Sequence, residues 1–177
     1  QITCYTINGK EYSFLAKDEL ERSLPVLKKA YLRYDEVAGK TVQYMFYDLF
    51  QGYTELKAEV LASSCFINDG KGNFTRHNLP AELQLAPVMT FSALPDEPGF
   101  MAAGNFYGTI PYEGRYDALM PSVVVYDVKQ KQFRLLESIK NCPGEARDIK
   151  WLPVKNGEKL LLIARNNNRI KTYKIAR

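Results

Sequence analysis

From Leu61 to the C-terminus the sequence is a series of short strand-like runs cut apart by turn residues. That punctuation constrains the fold more than any other feature. Runs near 61–68, 73–78, 87–94, 99–106, 121–128, 132–138, 147–154, 158–165 and 169–176 are apolar or alternating. Between several of them stand Asn68-Asp69-Gly70-Lys71-Gly72, Pro95-Asp96-Glu97-Pro98-Gly99, Asn156-Gly157 and Asn166-Asn167-Asn168. Gly, Asn, Asp and Pro supply the backbone angles that tight turns need. Short strands at this spacing predict an antiparallel all-β body.

The runs also repeat. Phe74 and Phe133, which close strand–turn–strand units, lie 59 residues apart. Met89 in PVMTF and Ile149 in RDIKW lie 60 apart, and Ala103-Gly104-Asn105 precedes Ala164-Arg165-Asn166 by 61. A period near 60 holds roughly four strands, the unit of a β-propeller blade. The spacing predicts about three such antiparallel units: most of one from 1–14 with 61–78, a second from 87–138, and three strands of a third from 147–176. A closed ring needs at least four blades. The chain therefore reads as a partial propeller, in which exposed sheet edges favour pairing between copies, hence a homodimer of the isolated fragment.

The first 60 residues differ. ITCYTINGKEYSF alternates around Asn8-Gly9, a strong two-residue hairpin signal. Asp18 with Glu21 then starts a helix carrying Leu20, Leu24 and Leu27, which Pro25 should kink or restart. A second helix is expected from about Asp35 to Phe50, with Val37, Thr41, Met45 and Leu49 on one stripe and Gly39 weakening it. The division is one fragment over 1–177, with a helical insertion at 17–57 inside the first blade and a repeat-bearing β body at 61–177. Tyr31, Tyr34, Tyr44, Tyr47 and Tyr53 enrich the insertion in aromatics. Packing on a blade explains most of them, and partner docking is the alternative.

Composition excludes several classes. At 177 residues, 46% hydrophobic and 25% charged, the chain is a globular domain rather than a disordered one, and no apolar run reaches a membrane span. Gln1 is not an initiator Met, so the chain reads as part of something longer. Residues 147–177 carry nine basic and two acidic side chains. Without a Gly/Arg tract or aromatic platform, these read as solvent faces of strands and not as a nucleic-acid surface. Cys4, Cys65 and Cys142 are odd in number and widely spaced. Free buried thiols or one Cys4–Cys65 disulfide both fit. His77, the single histidine, lacks the neighbours of a zinc site or of a Cys–His nucleophile. Trp151 reads as core.

Residues SSCFINDGKGNFTRHNLP resemble the strand–Asn-x-Gly-x-Gly-x-Phe–strand unit of FG-GAP/VCBS repeat proteins, the integrin-α-like propellers. AAGNFYGTIPYEGRYDA, GEARDIKWL and KLLLIARNNNRIKTYKI resemble the C-terminal blades of bacterial surface or secreted proteins that join such repeats to an ASPIC/UnbV-type region, a group abundant in Bacteroidetes. The helical stretch DELERSLPVLKKAYLRYDEVAGKTVQYMF resembles an insertion within a blade of that group. The most specific part is Gly104-Asn105-Phe106 with Gly114-Arg115-Tyr116-Asp117. The resemblance implies an adhesion-type binding protein placed at the cell surface, outside the cell or in the periplasm, with the remaining blades of a parent protein as partners.

Family blades usually hold Ca²⁺ in an Asp-x-Asp-x-Asp-Gly loop. Here the matching stretch is Ser92-Ala93-Leu94-Pro95-Asp96-Glu97-Pro98-Gly99, whose adjacent acids do not give alternate-position ligands. No cofactor is expected. Asn68, Asp69 and Asn73 form the one other oxygen cluster, which a hairpin turn explains.

Three functions compete. In the first, a noncatalytic module binds glycan or protein through Asn105, Tyr107, Tyr112, Arg115, Tyr116 and Asp117, in the longest loop between strands. The local alternative for these residues is an Arg115–Asp117 ion pair that pins the loop, with Tyr107 and Tyr116 packed between blades. In the second, the segment only closes the ring of a longer propeller. The third is a glycoside hydrolase using Asp117 and Asp148. No nucleophile elbow, Walker loop or His-Glu-x-x-His is present, and both acids follow arginines that favour the ionised form, so the chain reads as a non-enzyme.

Overall fold

The computed structural model describes residues 1–47, 52–111 and 114–175. It is mainly β, with several small antiparallel sheets and short helices. The chain divides into two compact units, Gln1–Ala58 and Glu59–Arg177. Among the described residues no helix is long and apolar enough to cross a membrane.

In the first unit, β1 (Cys4–Ile7) pairs with β2 (Lys10–Ser13) around Asn8 and Gly9, both at positive φ. This is the primed turn that the Asn-Gly pair predicts. α1 (Lys17–Ser23) and α2 (Val26–Ala30) follow, separated at Pro25 as expected. The start of α1 is fixed by Glu19, not Glu21: its carboxylate accepts from the Ala16 N–H at 3.0 Å. Glu21 instead pairs with Lys17, one turn away.

The long second helix does not form. The chain makes a 3-10 turn at Tyr34–Glu36, reverses at Gly39 (φ +68°), and restarts as α3 (Val42–Met45), whose first turn Thr41 caps by accepting from the Tyr44 N–H at 3.2 Å. A left-handed glycine ends a helix, and a threonine with a free hydroxyl begins one. Val37 and Met45 of the expected stripe are buried with Leu20, Leu27, Val42 and Phe46, whereas Leu49 lies outside the described residues. Of the five tyrosines expected mostly to pack, Tyr31 is half-buried against this core and donates to the Met45 and Tyr44 carbonyls. Tyr34, Tyr44, Tyr47 and Tyr53 are each more than half exposed.

The second unit holds three sheets. β3 (Ser64–Asn68) and β4 (Phe74–Asn78) form a hairpin. β5 (Val88–Ala93), β6 (Gly99–Gly104), β7 (Ser122–Asp127) and β8 (Gln132–Ser138) form a four-stranded antiparallel meander in chain order. β9 (Ala146–Pro153), β10 (Lys159–Arg165) and β11 (Lys171–Ile175) form a three-stranded sheet. The second and third expected groupings therefore stand as sheets. The first does not: β1-β2 and β3-β4 are separate two-stranded sheets in different compact units. The helices accordingly belong with the β1-β2 hairpin and are not inserted in a sheet that 61–78 completes.

The meander is packed on both faces. Alternation along β6 sends Met101 and Ala103 one way and Ala102 the other. Met101 and Ala103 join Ile149, Leu161 and Ile163 of the three-stranded sheet, with Trp151 packed against them as core. Ala102 and Val124 join Leu79, Leu83 and Leu119, with Cys65 of the hairpin alongside.

Two of the three repeat anchors can be compared at matching strand pairs, and one of them is displaced. Val88 pairs with Gly104 and Thr90 with Ala103, leaving Met89 as a bulge; Ala146 pairs with Arg165 and Asp148 with Ala164, leaving Arg147 as a bulge. Met89 therefore corresponds to Arg147 and not to Ile149. The anchor of Asn105 with Asn166 stands. Their backbone N–H groups bond to the carbonyls of Pro87 (2.9 Å) and Glu145 (2.8 Å), the residues just before the paired strands.

The three thiols are free. Cys142 is buried, Cys65 is half-buried and Cys4 is exposed on a two-stranded hairpin, so the expectation of buried thiols holds only in part.

Candidate functional site

The 105–117 excursion leaves β6 and returns as a short arm closed by an isolated antiparallel bridge between Phe106 and Tyr116, with reciprocal backbone bonds of 2.9 and 3.0 Å. Inside the arm the Thr109 hydroxyl donates to the Gly114 carbonyl, and the Phe106 ring lies where a side chain at Gly108 would stand. Gly114, at φ +79°, turns the chain back.

The base of the arm is rigid and polar. Asn105, fully buried at φ +82°, uses its amide as a peptide group would. Its Oδ1 accepts from the Leu119 N–H (3.0 Å), and its Nδ2 donates to the carbonyls of Leu119 (2.9 Å) and Gly144 (3.0 Å). Beside it the Glu145 carboxylate, 7% exposed as a residue, accepts from the Tyr107 N–H (2.8 Å), the Arg147 guanidinium (2.7 Å) and the Asn166 amide (2.9 Å). The Tyr107 backbone donor, then the Asn166 amide and the Arg147 charge, hold the Glu145 carboxyl below its ordinary range. Arg147 also donates to the Asn105 carbonyl at 3.0 Å. The bulge at Arg147 thus aims a cation at the root of the arm.

Beyond this base lies a cleft of about 330 Å³ lined by Tyr107, Thr109, Pro111, Gly114 and Arg115. The Arg115 guanidinium carbon sits 5.1 Å from the Tyr107 ring centroid, within cation–π range. The candidate residues therefore divide. Tyr107 and Arg115 come together at the cleft. Tyr116 is half exposed at the bridge, Asp117 is exposed, and Tyr112 lies outside the described residues. Asn105 is corrected: burial and three internal bonds leave its amide nothing to offer a ligand. No ion pair joins Arg115 to Asp117, because the guanidinium is stacked on Tyr107 instead.

The other candidates serve the fold. Asp69 accepts from the backbone N–H groups of Lys71 (2.7 Å) and Asn73 (3.1 Å) and from the Asn73 amide (2.8 Å), while Asn68 accepts from the Gly70 N–H (2.8 Å). These bonds, the Asn73 amide foremost, hold the Asp69 carboxyl below its usual range. Among the described residues no group of three His, Cys, Asp or Glu side chains converges as metal ligands do. Asp148 accepts its own neighbour's N–H at Ile149 (2.9 Å), lies 3.6 Å from Lys150, and shares no polar partner with Asp117. Cys65 and His77 are cross-strand neighbours with no hydrogen bond between them, and the imidazole is set edge-on among Tyr126 and Phe133.

Sequence reasoning missed Glu145 and Arg147. The signal was present: Glu145-Ala146-Arg147 occupies the repeat position whose counterpart is Pro87-Val88-Met89, and a charged pair there has no equivalent in the meander. No family model matches the chain. A search of curated proteins also finds no significant match.

Proposed function

We propose that the chain is a noncatalytic recognition module of a surface or secreted protein, built of propeller-type blade units and binding a glycan or protein ligand at the 106–117 arm. The observation that carries this reading is the Tyr107–Arg115 stack, an aromatic ring and a cation presented at a cleft over a buried polar base. A hydrogen-bonded base under a half-buried aromatic ring suits recognition, since little conformational entropy is lost when a ligand is bound. Aromatic rings stack on sugar or peptide faces, and arginine adds directional hydrogen bonds. The four-stranded meander, its matching bulges and the FG-GAP/VCBS resemblance support the blade description.

Glycan and peptide arrays probed with the chain beside Tyr107→Ala and Arg115→Ala test it. Specific binding lost in both variants, with melting temperatures within a few degrees of the parent, supports the site. Binding unaffected by either variant, or no binding at all, removes it.

The structural reading, a segment that completes a longer propeller, is favoured by a different observation. Leu152, on the face of the three-stranded sheet turned from the meander, and Phe66 and Phe74, on the outer side of the hairpin, are exposed apolar residues where another sheet would pack. That reading predicts that arm substitutions change stability alone.

A further inference from the structure

The first unit holds a second cleft, independent of the 106–117 arm. Tyr5 and Tyr12 are directly cross-strand in the β1-β2 hairpin, with ring centroids 5.8 Å apart and planes inclined by 26°. Among the described residues no hydrogen bond engages either hydroxyl, and Tyr5 is 46% exposed. The two rings are stacked on one another at adjoining positions, which props the half-exposed Tyr5 ring so that its outer face and the edges of the pair are open. Facing it, the turn through Val37 and Gly39 and the Tyr34 ring complete a cleft of about 260 Å³.

Lys17 and Lys40 are the charged residues that line the cleft, and the Tyr34 hydroxyl of its wall donates to the Asp18 carboxylate. Lys17 is almost buried, its ammonium 5.5 Å from the Tyr34 ring centroid and paired with Glu21, so it is a fixed part of the wall. Lys40 is exposed, 4.9 Å from the Tyr44 ring centroid, and among the described residues no carboxylate pairs with it. Core packing does not account for this arrangement. The tyrosine that builds the core is Tyr31, whereas Tyr5 and Tyr34 stand half or more exposed along the cleft and Tyr44 lies beside Lys40.

We propose that this cleft binds an anionic saccharide, with the sugar ring on the Tyr5–Tyr12 surface and its carboxylate or sulfate at Lys40. A pyranose presents a flat C–H face that an aromatic surface covers and hydroxyls that free phenols bond. Its acid group meets Lys40, the lysine of the cleft lining that no described carboxylate pairs with. A peptide matches the charge but not the flat, hydroxyl-edged surface. Carboxylated and sulfated sugars share the required chemistry, and the two are separated by the probe.

The test is an NMR titration of the full chain with four probes: trigalacturonate, a heparin-derived tetrasaccharide, maltotriose and a hexaglutamate peptide. Expected is a shift of the Tyr5, Tyr12 and Gly39 amides with at least one anionic saccharide, with binding about tenfold or more tighter than for maltotriose or hexaglutamate. Binding of trigalacturonate shows that a carboxylate suffices, whereas binding of the heparin fragment alone, which carries both groups, shows that sulfate is required. Lys40→Glu, on an exposed turn, should weaken binding about tenfold with melting unchanged, and Tyr5→Ala should weaken it as well. Arg115→Ala should leave it intact, which keeps the outcome separate from that of the arm. No shift with either acidic sugar, equal binding of maltotriose or hexaglutamate, or Lys40→Glu without effect would overturn the proposal.

Discussion

Gly104 and Asn105 do two jobs that no other pair of residues does at that place. A Cβ built on Gly104 would stand 1.8 Å from the Pro87 carbonyl oxygen, a backbone atom with nowhere to go. Gly104→Ala is therefore expected to displace β5 from β6 and lower the melting temperature by well over the few degrees typical of a surface substitution, as a thermal melt will read. Asn105 follows at positive φ, which asparagine tolerates, and its amide bonds two segments distant in sequence. Asn105→Ala leaves the Leu119 N–H and two carbonyls without partners, so denaturant unfolding should show a loss of about 3 kcal/mol. Glu145 gives a pH signature. Its folded pKa is depressed, so its stabilisation is fully present above the unfolded glutamate value of about 4.3 and is lost as pH falls through the lower folded value. Melts of the parent and Glu145→Gln between pH 7 and 3 should converge toward acid. A constant gap across that range would contradict the assignment.

At the scale of elements, the helical stretch shows how local signals compete. Pro25 and the leucine spacing of α1 and α2 are legible because proline acts through its own ring, wherever the chain sits. The expected helix over 35–50 fails because the Val37–Met45 stripe is satisfied equally by a 3-10 turn and a short helix folded against one core, with Gly39 as the hinge. Nothing stands within 4 Å of a Cβ at Gly39, yet its φ is +68°. Gly39→Ala should thus cost about 1 kcal/mol through backbone strain alone, measurable by denaturant titration. Strands were legible within one to three residues because turn chemistry bounds them. The bulges at Met89 and Arg147 were not, since an extra residue leaves no mark in an apolar run. That shift displaced one repeat anchor by two positions and hid Arg147 as the residue that reaches the arm. In the candidate site, residue types in an aromatic loop singled out Tyr107 and Arg115. The same reading included Asn105, because a buried asparagine and a binding asparagine look alike until the backbone groups around it are known.

For the molecule as a whole, the central meander of the second unit separates two apolar clusters, and this arrangement is testable. Leu83 and Leu161, each fully buried, belong to different clusters on opposite faces. Each Leu→Ala substitution should cost about 2–5 kcal/mol, and the double variant should match their sum within about 0.5 kcal/mol. A larger coupling would mean that the sheet shifts as a body between the clusters. The sequence by itself determined the strands, the hairpin at Asn8-Gly9 and the break at Pro25. Each of these follows from local backbone preference or alternation, which a few neighbouring residues dictate. Only the tertiary structure decided that the 1–14 hairpin joins the helices and not the 61–78 strands, that Asn105 is sealed beneath the arm, and that Tyr5 and Tyr12 line a cleft with Lys40. Those outcomes depend on which apolar faces cover one another and which buried polar groups find partners, and both are settled between residues far apart in the chain.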